Sequence, residues 1–470
     1  MQPATQLCRD LQRGTVSAVD VMRETYRRIE ALNPELNALV ALLPEADALL
    51  LAEAADRVPH ADRGPLHGLP MCPKDAVEVE GFATTWGFVP WAENFPKADD
   101  GLAARMRGAG ALFIGRSNMP EFGLGSNTFN SLYGRTKNPY DLDRTPGGSS
   151  GGAAAALASG MLPFADGSDM GGSLRNPASF CNVVGFRPSM GRMPNNKGFG
   201  WFGRLGITGP MARTVADTAL LFSVQAGPDA NDPITLPEPG ETYLDAIVPR
   251  EDLSGLKIGF APKLHGIAID GEVMTVMQAA ADQCANLGAD IIELGPNLSE
   301  AMQVFHVQRA AGLATLGDSL DRTIPDWKDH AKETAIWNIE KGQTLTSQEI
   351  LDSELTRNRI YAETVRYFSE VDALLLPAAQ VPPFLSDIEW IEEIEGQKMN
   401  TYIDWMEICC AITVTGCPAI SVPGGFTTSG LPVGLQIVGP PRADLGVLKI
   451  AHTFEAATEH YKTAPALSAF

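Results

Sequence analysis

Two glycine-flanked serine clusters constrain this chain more than any other part of it. The first runs Thr145-Pro146-Gly147-Gly148-Ser149-Ser150-Gly151-Gly152, and the second Gly167-Ser168-Asp169-Met170-Gly171-Gly172-Ser173-Leu174-Arg175. A Gly/Ser tract by itself is commonly a flexible linker. Here each cluster abuts an ordered-looking segment, and the second carries Asp169 and Arg175, for which a spacer has no use. Glycine lets backbone approach a ligand closely or take positive φ. A serine set among glycines can therefore sit where bare N–H groups surround its hydroxyl, which is what acyl-transfer chemistry requires. Between the clusters the pattern predicts one helix over 153–158 and one strand over 162–165.

The rest of the chain alternates in the same way. Ser17 is a predicted N-cap, with apolar positions at Val21, Ile29 and Leu32 and then at Leu49 and Leu50, and Asn33-Pro34 is expected to separate two helices. Helices are predicted over 99–110, 215–226, 272–287 and 445–458. Strands are predicted over 111–115, 256–260, 291–294, 371–377, 419–423 and 433–439. Such alternation argues an α/β body with a mixed sheet. Residues 296–370 are richer in charge and aromatics and read as a helical insertion. The organisation expected is one domain over 1–470, with a helical cover (1–60), a core carrying the motifs (61–295), the insertion (296–370) and returning core strands and a helix (371–470).

Thirty-six Lys and Arg against 57 Asp and Glu leave a formal charge of −21, which argues against nucleic acid or an anionic membrane as partner. Seven scattered cysteines without a CxxC, and dispersed histidines without HExxH, suggest buried thiols and no metal site. No apolar run reaches the ~18 residues of a membrane span, and no signal peptide is visible, so a cytoplasmic location is expected.

Lys74 in Gly68-Leu69-Pro70…Lys74-Asp75, Ser149 in the first cluster and Ser173 in the second together resemble the amidase signature hydrolases. The likeness continues through Gly185-Phe186-Arg187-Pro188, through 209–217 and through 416–436, so it spans nearly the whole chain. It implies the amidase signature fold, an α/β body with a large mixed, twisted β-sheet flanked by helices on both faces and a helical insertion, and a Ser–Ser–Lys triad. Ser173 would be the nucleophile that forms an acyl-enzyme, Ser149 (after a cis peptide) the proton relay, and Lys74 the base. A lysine of ordinary pKa ~10.4 can act so only if buried and ringed by hydroxyls rather than paired with a carboxylate; adjacent Asp75 is expected to point to the opposite face. The N–H groups of Met170, Gly171, Gly172 and Ser173 are the expected oxyanion donors. Ser150 would be a supporting hydroxyl, and Asp169 and Arg175 would hold the loop's shape.

Phe122, Gly123, Leu124, Gly125 and Asn127 on one loop, and Arg192 with Phe199, Trp201 and Phe202 on another, are expected to bound a substrate pocket. The resemblance implies hydrolysis of amides, and also of esters or carbamates (urethanes), on small neutral aryl or alkyl substrates by a monomer or homodimer without a cofactor. Members with similar loops are arylamidase- and urethanase-like. A different member of the family, the amidotransferase component that releases ammonia from glutamine for a partner, is the alternative. Gly148-x-Ser150-x-Gly152 also matches a nucleophile elbow, but turn chemistry over 138–146 stands where that motif needs a strand.

Overall fold

The computed structural model describes residues 2–195 and 204–468. Two helices open the chain, α1 (Ala4–Arg13) and α2 (Ala18–Leu36). Ser17 caps α2 reciprocally with Asp20: the Asp20 N–H donates to Ser17 Oγ at 3.0 Å, and the Asp20 carboxylate accepts the Ser17 N–H at 3.4 Å. Val21, Ile29 and Leu32 are buried as the spacing predicts. Pro34, however, does not separate two helices. It lies inside the last turn of α2, where a missing N–H costs only one backbone bond. Asn33 Oδ1 takes the N–H groups of Ala38 and Leu39, both at 2.9 Å, and Asn37 ends the helix at φ 49°. In α3 (Glu45–Asp56) the buried face is Ala48, Ala52 and Ala55, with Leu49 packed partly buried beside them as expected, while Leu50 is 61% exposed.

The core is one eight-stranded sheet. Its strands are β1 (Phe164–Asp169), β2 (Val184–Arg187), β3 (Ile207–Ala212), β4 (Lys257–Phe260), β5 (Asp290–Ile292), β6 (Ala373–Pro377), β7 (Ala419–Phe426) and β8 (Pro432–Val438). They lie in the order β5-β4-β6-β8-β7-β2-β3-β1. β5, β4 and β6 run parallel, and every other neighbouring pair is antiparallel, so the sheet is mixed as expected. The Leu374-Leu375-Leu376 run of β6 is buried along its whole length, which is why it shows no polar alternation.

Helices flank the sheet. They are α4 (Gly101–Gly108), α5 (Gly151–Ala158), α6 (Arg175–Phe180), α7 (Val215–Gln225), α8 (Gly271–Asn286), α9 (Ala301–Thr323), α10 (Glu333–Gln343), α11 (Ser347–Tyr367), α12 (Glu407–Thr415) and α13 (Asp444–Thr458). α6 and α8 pack on β7 and β8, and α9 packs on α10, α11 and α12. α5 is built from glycine and alanine apart from Leu157, and all of its residues are buried. Side chains this small let the helix run through the interior beside β1. Six of the seven cysteines are buried and all are free. Among the described residues no helix is long and apolar enough to cross a membrane.

Candidate active site

Three segments far apart in sequence meet at Lys74. Pro70–Met71 pairs in parallel with Leu112–Phe113, and Lys74 then bridges to Ser117, which draws the lysine inward. β1 supplies Ser168, and the turn before α5 supplies Ser149 and Ser150. Lys74 is 0% exposed. Its ammonium donates to Ser149 Oγ at 2.7 Å, Ser150 Oγ at 3.0 Å and Ser168 Oγ at 3.0 Å. No carboxylate lies within ion-pair distance of it among the described residues. Asp166, two residues before Ser168 and on the same face of β1, instead accepts the Lys74 backbone N–H at 3.2 and 3.3 Å. Asp75 points away as expected. It accepts N–H from Thr85 at 3.0 Å, bonds the Thr85 hydroxyl and lies 3.6 Å from Arg116.

Burial therefore dominates the amine. It lowers the Lys74 pKa from 10.5 to about 7, against the pull of Asp166 and Asp169. Burial also raises Asp166 to about 6, with Arg116 acting the other way. Both partners drift toward neutrality because neither is solvated.

The first cluster is held in place from behind. The Gly148–Ser149 peptide is cis. Ser126 Oγ donates to the Gly148 carbonyl at 2.7 Å, and Thr128 Oγ1 donates to that of Gly147 at 2.8 Å. Gly167 is required by close approach: a Cβ there would stand 2.7 Å from Ser150 Oγ.

The second cluster forms the turn between β1 and α6. Asp169 organises it, accepting N–H from Gly172 at 2.9 Å and Leu174 at 3.1 Å and pairing with Arg175 at 2.8 Å. Arg175 reaches on to the Cys409 carbonyl at 3.1 Å, Gln436 Oε1 at 2.7 Å and Thr413 Oγ1 at 3.0 Å. Burial opposes the Asp169 charge, yet Arg175 and Arg187 overcome it and hold the carboxyl well below its usual range. This corrects one expected oxyanion donor. The Gly172 N–H is spent on Asp169, so only Met170, Gly171 and Ser173 keep backbone N–H groups without a partner among the described residues. Gly172 is instead needed for shape, with φ 106° and with room for no Cβ: one would meet Cys409 Cβ at 2.7 Å.

Ser173 is half-buried at the end of this turn, and its carbonyl accepts the Ser150 N–H at 3.3 Å. The two clusters are thus in direct contact. The Ser173 hydroxyl itself has no hydrogen-bond partner among the described residues, so Lys74 and Ser149 are joined while the Ser149–Ser173 link is not made. Catalytic hydrogen bonds often tighten only with substrate present.

The expected pocket residues divide. Phe122 is buried against Phe88 and Trp91, with ring centroids 4.7 and 5.5 Å apart, and joins Leu124 in an apolar cluster with Trp327, Ala335 and Ile339. A Cβ on Gly123 would be 3.5 Å from Ser149 Oγ, which puts this loop beside the serines. Gly125 follows two residues on, facing Lys332 and Tyr402. Asn127 is not a pocket group: its amide donates to the carbonyls of Ser386 at 3.2 Å and Ile388 at 2.8 Å. Arg192 is corrected likewise. It is buried between Asp444 at 3.2 Å and Glu238 at 2.5 Å, which leaves no donor face for a substrate. Phe199, Trp201 and Phe202 lie outside the described residues. Sequence reasoning missed Ser168 and Asp166 as neighbours of Lys74, because the strand expected over 162–165 in fact runs Phe164–Asp169 and carries both on one face. It also missed Phe305 and Cys410, each 3.3 Å from a Cβ built on Gly171.

A family model described as Amidase matches residues 20–448. The chain therefore belongs to the amidase signature family of hydrolases, which cleave amide bonds. It is 36% identical over 402 residues to an acylamidase of Rhodococcus erythropolis, covering 84% of this chain and 82% of that one. It is 32% identical over 440 residues to one component of the glutamyl-tRNA(Gln) amidotransferase of Marinomonas sp. (strain MWYL1), covering 89% of each. Among solved structures it resembles a bacterial aryl acylamidase of the amidase signature family (TM-score 0.91, 27% identity, 99% and 98% coverage). It also resembles a 6-aminohexanoate cyclic dimer hydrolase (TM-score 0.87, 26% identity, 99% of both chains).

Proposed function

We propose that this protein is a free-standing acylamidase that cleaves small aryl amides through an acyl-enzyme on Ser173. The observation that carries the reading is the buried, carboxylate-free amine of Lys74 ringed by three hydroxyls. A neutral Lys74 takes the proton of Ser149, which takes that of Ser173 as its Oγ attacks the substrate carbonyl. The N–H groups of Met170, Gly171 and Ser173 receive the negative oxygen. The proton then returns by the same route to the leaving amine, and water repeats the sequence to release the acid. Esters and carbamates pass through an oxyanion at the same place, so esterase and urethanase activity belong to the proposal. Asp169 and Arg175 act by fixing the donor turn, and Ser150 and Ser168 by completing the amine's hydrogen bonds.

Phenylmethylsulfonyl fluoride should modify Ser173, as located by mass spectrometry, and Ser173→Ala should lose both the adduct and turnover. Matched anilide, ester and carbamate then rank the bond types. The amidotransferase-type relatives supply the second reading. Activity of the isolated chain confined to free glutamine or asparagine would favour it.

A further inference from the structure

We propose that the site takes amides carrying a carboxylate beyond the scissile bond, and that Lys332 and Arg309 bind that carboxylate. The proposal rests on the amidase reading above and adds the chemical class of its substrate.

Six arginines are buried among the described residues. Arg116, Arg175, Arg187, Arg192 and Arg204 each face an aspartate, at 3.6, 2.8, 3.5, 3.2 and 2.5 Å. Arg309, only 6% exposed, is the exception. Its guanidinium bonds Asn338 Oδ1 and Tyr402 Oη and lies 5.3 Å from the centre of the Tyr402 ring, all neutral partners. Lys332 is its neighbour. Its ammonium donates to the Leu124 carbonyl at 2.5 Å and lies 5.5 Å from the Phe129 ring centre. Glu121 accepts the Lys332 backbone N–H at 2.9 Å, but neither it nor Glu389 comes within ion-pair distance of the ammonium. In a chain with 57 acidic side chains, two adjacent sheltered cations without a counter-ion need a reason.

Their position supplies one. Arg309 follows Phe305 by one turn of α9, and Phe305 borders Gly171 of the donor turn. On the other side, a Cβ on Gly125 would lie 4.0 Å from both Lys332 Nζ and Tyr402 Cδ2, while one on Gly123 would lie 3.5 Å from Ser149 Oγ. The two glycines are separated by at most about 7 Å of chain. The cations thus stand beside the loop that borders Ser149 and on the helix that borders the donor turn, on the side of the site where the far end of an extended aryl substrate would lie. Burial lowers the Lys332 pKa to about 8, against the pull of Glu121 and Glu389 and with the Arg309 charge adding to the lowering. A bound carboxylate would accept charge-assisted bonds from both groups.

The test compares 4-acetamidobenzoate with 4-nitroacetanilide, whose nitro group is a neutral, planar stand-in for carboxylate. Dividing the two kcat/KM values within each enzyme and comparing that ratio between variants cancels leaving-group reactivity. Lys332→Met should lower the carboxylate-to-nitro ratio about tenfold or more, mainly through KM, and Lys332→Arg should restore it. Lys328→Met serves as control, since Lys328 is exposed on the same insertion and paired with Glu340 at 2.7 Å; the ratio should stay at the wild-type value. Turnover of both anilides by Lys332→Met with the ratio within about twofold of wild type overturns the carboxylate subsite alone. Failure of wild type to cleave either, with Ser173 unmodified by phenylmethylsulfonyl fluoride, overturns the amidase reading beneath it.

Discussion

Replacing Lys74 by methionine separates what the amine costs the fold from what it does in the site. In the unfolded chain Lys74 titrates near 10.5, and in the folded protein at about 7. A lowered lysine pKa means that the folded state holds fewer protons than the unfolded one between those values, so stability must rise with pH across that window. At about 1.4 kcal/mol per pH unit, the lysine costs roughly 4 kcal/mol near neutrality and about 1.4 kcal/mol near pH ~9.5. Methionine removes this cost but also three hydrogen bonds, to Ser149, Ser150 and Ser168. At about 1 kcal/mol each, that loss of roughly 3 kcal/mol nearly cancels the gain at neutral pH. The inactive variant should therefore unfold in urea at about the wild-type midpoint near pH ~7, and wild type should gain about 3 kcal/mol over it by pH ~9.5. The same titration should appear as a rise of wild-type kcat/KM through about pH 7. A stability difference that does not change with pH over this range would show that Lys74 is protonated throughout and would refute the reasoning.

Other outcomes follow from neighbouring contacts. Asp166→Asn removes the carboxylate that favours the charged amine, so the rising limb of the kcat/KM profile should move to lower pH. Gly172→Ala forces a Cβ against Cys409 at positive φ, and displacement of the donor turn should cost about two to three powers of ten in kcat. Arg175→Met leaves Asp169 buried with its principal partner gone. A loss of about 3–5 kcal/mol in chemical unfolding is expected, with Arg187 limiting it to the lower end. Arg192→Met should lower Tm through Asp444 and Glu238 while leaving the substrate ranking as in wild type.

The strands and helices were legible because their buried faces keep a simple period: β6 is an unbroken apolar run and α2 carries its cap and stripe in sequence. The serine clusters were legible because glycine tolerance is written locally. Lys74 was not legible from its surroundings, since Pro73-Lys74-Asp75 has the character of any exposed turn. Only the order of motifs along the chain singled it out, and its burial arises from partners 75 to 94 residues away. The Gly172 donor was misassigned because the destination of its N–H depends on the Asp169 side chain, which no spacing encodes. Asn127 and Arg192 failed for the same reason: the side chain of each turns back into the protein, to partners that no local spacing encodes.

The dispersal of the Lys74 shell over three segments has a consequence for the life of the polypeptide. While residues 74, 149 and 168 remain apart, the amine is hydrated and keeps an ordinary alkaline affinity for its proton, and the serines are plain alcohols. Reactivity toward an acyl group is therefore latent in the nascent chain and arises only when the core shuts around position 74. Any local opening that admits water there should silence the protein before it unravels.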